Sequence, residues 1–147
     1  MPHDTMQAKF KRLDKQVTIP TIAHIGDAAV DLQCRKTVTL EPGERAAVPT
    51  GIAVAIPDGY AGFVLARSGH AMQSGISVVN GPGLIDSGYR GEISVVLINH
   101  GQDAVIFETG DRIAQLVILA VPHVEWVETD ELDETARGAG GFGSTGD

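Results

Sequence analysis

A chain of 147 residues with 43% hydrophobic content suits one compact domain, because a core of that size buries most of its apolar surface. Eighteen Gly and seven Pro, set against one Trp, two Tyr and four Phe, break it into short segments and point to an all-β domain rather than a helical bundle. The formal charge of −8, from 19 acidic and 11 basic residues, argues against a broad grip on a nucleic-acid polymer, while a few well-placed Arg can still hold a small anion.

The start, MPHDTMQAKFKRLDKQ, mixes charged and apolar residues and lacks the pattern of a secretory signal, so the mature protein is expected to begin near here. Cys34 alone cannot close an intrachain disulfide or build a Cys-based zinc site, which fits a reducing, cytoplasmic compartment. Turn signals then recur at EPGE (41–44), PDG (57–59), NGPG (80–83), NHG (99–101) and TGD (109–111). Between and beyond them TVTL, RAAV, IAVAI, GFVLAR, ISVV, ISVVLIN, AVIF, RIAQLVIL and HVEWV read as strands, with IAVAI alternating large and small side chains as a half-buried strand does. About ten short strands predict a sandwich or barrel, and their many edges favour a homo-oligomer. The longest apolar run, Ile113 to Pro122, is too short to span a bilayer, so no membrane segment is expected. DELDET then reads as an acidic helical turn or a loop, and after Glu134 a Gly-rich tail has almost nothing to bury and is expected to be mobile unless something holds it.

Several motifs fail on context. GFGSTG (141–146) fits a dinucleotide fingerprint but has no helix after it, and His123-Val124-Glu125 lacks the Cys pair of a zinc deaminase. The five His show no ligand-like spacing, and there is no P-loop.

Five polar clusters remain. GDAAVDLQC (26–34) sets Asp31 between Val30 and Leu32, where a strand turns its carboxylate away from two core-directed neighbours; an ordinary exposed strand acid is the plainer reading. ARSG (66–69) places Arg67, Ser68 and Gly69 where a strand opens into a Gly turn, with donors suited to phosphate or simply a surface Arg. NGPGLIDSGYRGE (80–92) reads as a hairpin-like excursion around Asn80, Asp86, Tyr89 and Arg90. In a pocket Asn80 would read an amide-type base edge, Asp86 accept a proton from water and Tyr89 cover a sugar, whereas a bare hairpin would use the Asp and Gly only for its turn. GDRIAQLV (110–117) carries Gln115 inside an apolar strand, where its amide needs a structural partner or a ligand. RGAGGFGSTG (137–146) combines Arg137, Phe142, Ser144 and Thr145 with glycines whose amides can wrap an anion, or is a disordered terminus.

In this order and spacing, from about residue 17 to 146, the five clusters resemble the motifs of the trimeric dUTP diphosphatase (dUTPase) family, with GLIDSGYRGE and RGAGGFGSTG the longest matches. The resemblance implies a β-sandwich or jelly-roll subunit over 1–136, a C-terminal arm over 137–147, and a homotrimer with sites at subunit interfaces. It implies Mg-dependent hydrolysis of dUTP to dUMP and pyrophosphate, which keeps uracil out of DNA and supplies dUMP for thymidylate synthesis. Asp86 would then orient or deprotonate the attacking water, Tyr89 exclude a 2′-hydroxyl, and Asn80 read uracil. Arg67, Ser68, Gly69 and Gln115 would hold phosphates, with Asp31 reaching Mg through a coordinated water. Arg137, Ser144 and Thr145 would clamp the γ-phosphate, with Phe142 as a lid over the base. Two departures are Ala66, where the family usually has Pro, which is expected to loosen the Arg67 loop slightly, and Ala29 in place of a common Gly. The alternatives are a dCTP deaminase, which needs a carboxylate that ISVVLIN lacks, and a noncatalytic regulatory protein, which does not need the full residue set present here.

Overall fold

Runs of β-branched residues cut by Gly-containing turns form a β-sandwich in the computed structural model, which describes residues 5–146. In chain order the elements are β1 (Lys9–Arg12), β2 (Ala29–Gln33), β3 (Val38–Leu40), β4 (Arg45–Pro49), β5 (Ile52–Ala55), β6 (Tyr60–Leu65), α1 (Ser68–Ser74), β7 (Ile76–Val78), β8 (Gly83–Ile85), β9 (Ser94–Asn99), β10 (Val105–Phe107) and β11 (Arg112–Ala120). A four-stranded sheet, β2-β11-β6-β8, and a three-stranded sheet, β4-β9-β7, are joined by the ribbons β1-β5 and β3-β10, every pair antiparallel and no barrel closed.

The core forms where the sheets meet. Val48, Val95 and Leu97 of one sheet join Leu32, Val64 and Leu116 of the other in one buried cluster, each side chain contributing about 1.5–3 kcal/mol by leaving water. Asn99 is fully buried but satisfied: its amide nitrogen donates to the carbonyls of Leu40 (2.9 Å) and Asp103 (2.8 Å), and its oxygen accepts from Gly101 N–H (2.8 Å). It thereby ties β3, β9 and the turn that follows into one unit.

The structure departs from the sequence reading in four places. Ser68 and Gly69 open helix α1 rather than a Gly turn, with Arg67 as its extended N-cap and Gly75, at φ 68°, ending it. A Cβ at Gly75 would lie 2.7 Å from Gly101 N, so glycine is required twice over. HVEWV is not a strand: residues 123–127 are exposed and pair with nothing among the described residues, and a strand cannot persist without a partner for its backbone groups. IAVAI is not half-buried, since Ile52, Ala53, Val54 and Ile56 are all buried and the alternation is one of size only. The stretch 80–92 contains strand β8 paired with β6, so the excursion is partly sheet.

DELDET is loop. Among the described residues no helix is long and apolar enough to cross a membrane.

Candidate active site

Strand order brings the first polar clusters together. With β11 between β2 and β6, Gln115 lies opposite both Asp31 and Leu65, and Arg67 follows two residues later. Arg67 Nε donates to Asp31 Oδ1 at 2.9 Å, and Gln115 Nε2 donates to the Ala66 carbonyl at 2.9 Å. That second bond tethers the loop expected to be loosened by Ala66. Arg112, which the sequence reading did not single out, places Nη1 3.5 Å from Asp31 Oδ2. A β-bulge between Arg112 and Ala114 shifts the register there, and bulges commonly re-aim a side chain beside a site. Asp31, Arg67, Ser68, Gly69, Arg112 and Gln115 line a cleft of about 550 Å³. Helix α1 is held over this end by His70, whose Nε2 donates to the Arg112 carbonyl (2.8 Å) and whose ring meets Phe107 edge-to-face at 5.1 Å.

A second cleft, of about 280 Å³, is lined by Asn80, Asp86, Tyr89 and Glu92. Asp86 is exposed, and its carboxylate has no hydrogen-bond partner among the described residues, which leaves it open to water. Its carbonyl accepts Tyr89 N–H at 3.1 Å, closing the turn, and Arg90 Nη1 braces that turn by donating to the carbonyls of Ser87 (2.6 Å) and Tyr89 (3.0 Å). The Tyr89 hydroxyl donates to the Glu92 carbonyl at 2.8 Å. Its ring lies over Gly91, where a Cβ would fall 2.7 Å from Cζ, so any side chain there would push the ring aside.

Each cluster is assembled, but the two are held apart. Gly62 pairs with Ile85, so Asp86 lies beside the Ala61 end of β6 while Arg67 follows the Leu65 end. At about 3.4 Å per residue the strand separates them by roughly 20 Å. Among the described residues the tail joins neither cleft: residues 121–146 are exposed, and Arg137 Nε donates to the nearby Gly140 carbonyl at 2.9 Å. Phe142 has no cover, and Ser144 and Thr145 are equally exposed.

The donor set suits one kind of metal role. Among the described residues no cluster of three His, Cys, Asp or Glu side chains forms a cage. The Asp31 carboxylate, beside two guanidinium groups and with Asp27 on the same cleft, fits Mg²⁺ that is carried mainly by phosphates and water.

Comparison with known proteins agrees with this architecture. The dUTPase family model matches residues 15–146. The deoxyuridine 5'-triphosphate nucleotidohydrolase of Thermobifida fusca (strain YX) is 54% identical over 143 residues, covering 97% of this chain and 80% of the relative. That of Gloeobacter violaceus is 52% identical over 145 residues, covering 97% and 99%. The dUTPase of Staphylococcus bacteriophage 80alpha, solved with dUpNHpp, superposes with a TM-score of 0.88 at 30% identity, covering 97% of this chain and 99% of that one. An Asp-to-Asn variant of the dUTPase of phage phi11 of S. aureus, described as coordinating a structural Mg(II) ion, gives 0.80 at 26%, covering 86% and 98%. With a family match over residues 15–146 and relatives at this identity, the chain belongs to the dUTPase family.

Proposed function

We propose that this chain hydrolyses dUTP to dUMP and pyrophosphate at sites shared between copies of a homotrimer. Asp86 of one copy faces phosphates held by Arg67, Ser68, Gly69 and Gln115 of another. The observation that carries the shared site is the placement of Asp86 and Arg67 at opposite ends of β6. The hydrolytic activity itself agrees with the names of the relatives above.

In this reading the exposed Asp86 carboxylate orients a water and takes its proton as the water attacks the α-phosphorus. No covalent nucleophile is needed. Arg67 is held by Asp31 through Nε alone, so its terminal nitrogens stay open to the cleft and can meet phosphate as a fork. Ser68 and Gly69, at the mouth of the same cleft, add polar contacts to the chain of phosphates. Gln115 keeps the Ala66 carbonyl in place and so fixes the loop that carries Arg67. Mg²⁺, when bound with the triphosphate, would neutralise charge on the departing pyrophosphate, with Asp31 reaching it through water. Asn80 reads the uracil edge, and the Tyr89 ring packs where a ribose 2′-hydroxyl would sit. Arg137, Phe142, Ser144 and Thr145 close over the site and exclude bulk water. The lone, buried, free Cys34 suits a cytoplasmic enzyme, and the acidic chain has no footprint for a nucleic-acid polymer.

Phosphorus NMR of the protein with Mg²⁺ and dUTP, run beside UTP, dCTP and dTTP, tests the reading. The expected result is dUMP and pyrophosphate from dUTP alone. Binding of dUTP without hydrolysis would favour a regulatory protein, and ammonia released from dCTP would favour a deaminase.

A further inference from the structure

We infer that Glu92 is a positioning residue for sugar selection: it fixes the Tyr89 ring, so that discrimination against ribonucleotides is set partly by a carboxylate that need not touch the nucleotide. The inference rests on the role proposed above for Tyr89. Among the described residues the tip of Tyr89 is bonded to a single protein group, the Glu92 carbonyl, at 2.8 Å. Where that carbonyl sits therefore decides where the ring sits.

The Glu92 backbone is pinned by its own side chain. Oε1 accepts from Arg35 Nη1 at 3.1 Å and from Gly51 N–H at 2.9 Å, bonds strengthened by the carboxylate charge. Both donors are themselves fixed. Arg35 N–H donates to the Pro49 carbonyl at 2.9 Å, its Nη2 to the Leu13 carbonyl at 3.4 Å, and its Nε lies 3.7 Å from Asp14. Gly51 adopts φ 74°, and a Cβ there would overlap Val17, so its amide direction depends on glycine. The next residue is stitched as well: Ile93 N–H donates to the Ile52 carbonyl at 2.9 Å, and its carbonyl accepts the Thr50 hydroxyl at 2.6 Å. The β4–β5 turn and the exit of β2 thus form a rigid seat, and Glu92 transmits it to the hairpin carrying Tyr89.

A bracing role for the fold alone would change stability and leave sugar preference untouched, so the test is the ratio of kcat/KM for dUTP to that for UTP. Glu92→Ala is expected to lower this ratio by on the order of tenfold, since small misplacements of a packed group have large kinetic effects. Glu92→Gln, which keeps an acceptor oxygen, is expected to restore most of it. Tyr89→Phe removes the linking hydroxyl and should lower the ratio similarly. In the Tyr89→Phe background Glu92→Ala should then cause no further loss, because both changes cut the same connection. An unchanged ratio in folded Glu92→Ala, or equal losses from it in both backgrounds, would overturn the inference. Should Glu92→Ala fail to fold, Tyr89→Phe alone decides, because an unchanged ratio there breaks the proposed link. Loss of sugar discrimination in the unsubstituted protein would instead refute the Tyr89 reading on which this depends.

Discussion

Asp31 and Gln115 face each other across the β2–β11 pairing, which is why an acid on one strand and an amide on another serve a single cleft. Asp31 was legible because strand alternation alone turns it away from buried Leu32. Arg112 was not, because its approach to Asp31 depends on a bulge that leaves no mark in composition. Glu92 lay inside a quoted motif, but its partners Arg35 and Gly51 are 57 and 41 residues away, and nothing local announces such a contact. The sharpest residue-scale prediction concerns Asp86: Asp86→Asn should lower kcat by about 10²–10⁴-fold, the usual contribution of a general base, while dUTP binding measured by calorimetry is largely retained. Near-normal turnover would remove Asp86 from the water-activating role. Cys34 gives a second prediction. Burial pushes its thiol up, a backbone hydrogen bond at Lys36 pulls it partly back, and Asp111 adds to the rise. Alkylation near neutral pH should therefore be slow in the native protein and fast after unfolding, since the thiolate is the reactive form. Because the folded thiol holds its proton longer than the unfolded one, its contribution to stability is fully present below the unfolded value and is lost as pH rises through the folded value.

At the scale of elements, strands of five or six residues with a clear apolar pattern, such as β4, β6 and β9, could be read directly. Three kinds of element could not. Helix α1 has seven residues and no buried one, so the sequence shows no helical periodicity there and reads as a Gly turn. Strands β1 and β8 are set by their partners β5 and β6 rather than by their own composition. HVEWV has strand composition but pairs with nothing among the described residues, in keeping with β-propensity becoming a strand only where a neighbour accepts its hydrogen bonds. Gly51 joins local conformation to the packing of several elements: its φ of 74°, its contact with Val17 and its amide bond to Glu92 all depend on the absent side chain. Gly51→Ala is expected to destabilise the fold by about 1–3 kcal/mol, the range for a strained backbone site. Urea unfolding should show the lower midpoint at an unchanged slope, and a midpoint like that of the parent would mean that the turn relaxes freely.

The whole molecule leaves two features that one copy does not resolve. Residues 121–146 are exposed, with Trp126 (91%) and Phe142 (113%) uncovered, and Asp86 is separated from Arg67 by the length of β6. Large aromatics gain little in water, so an arm that carries them has most to gain on another copy. The shared-site proposal accounts for both features and makes them jointly testable. Truncation after Thr135 should cut turnover far more than it lowers the melting temperature, because residues 136–146 are all exposed; unchanged activity would remove the lid. Mixing provides the stronger test. Asp86→Asn and Arg67→Ala proteins should each be nearly inactive alone, since every site in either assembly lacks one partner. Refolded together in equal amounts, they should regain activity at about a quarter of the sites, where an intact Asp86 from one copy meets an intact Arg67 from the next around a closed ring. A site built within one chain predicts no recovery at all, because every chain would then carry one broken half. Recovered turnover in the mixture would therefore show that the two clefts, distant in one chain, become one active site between chains.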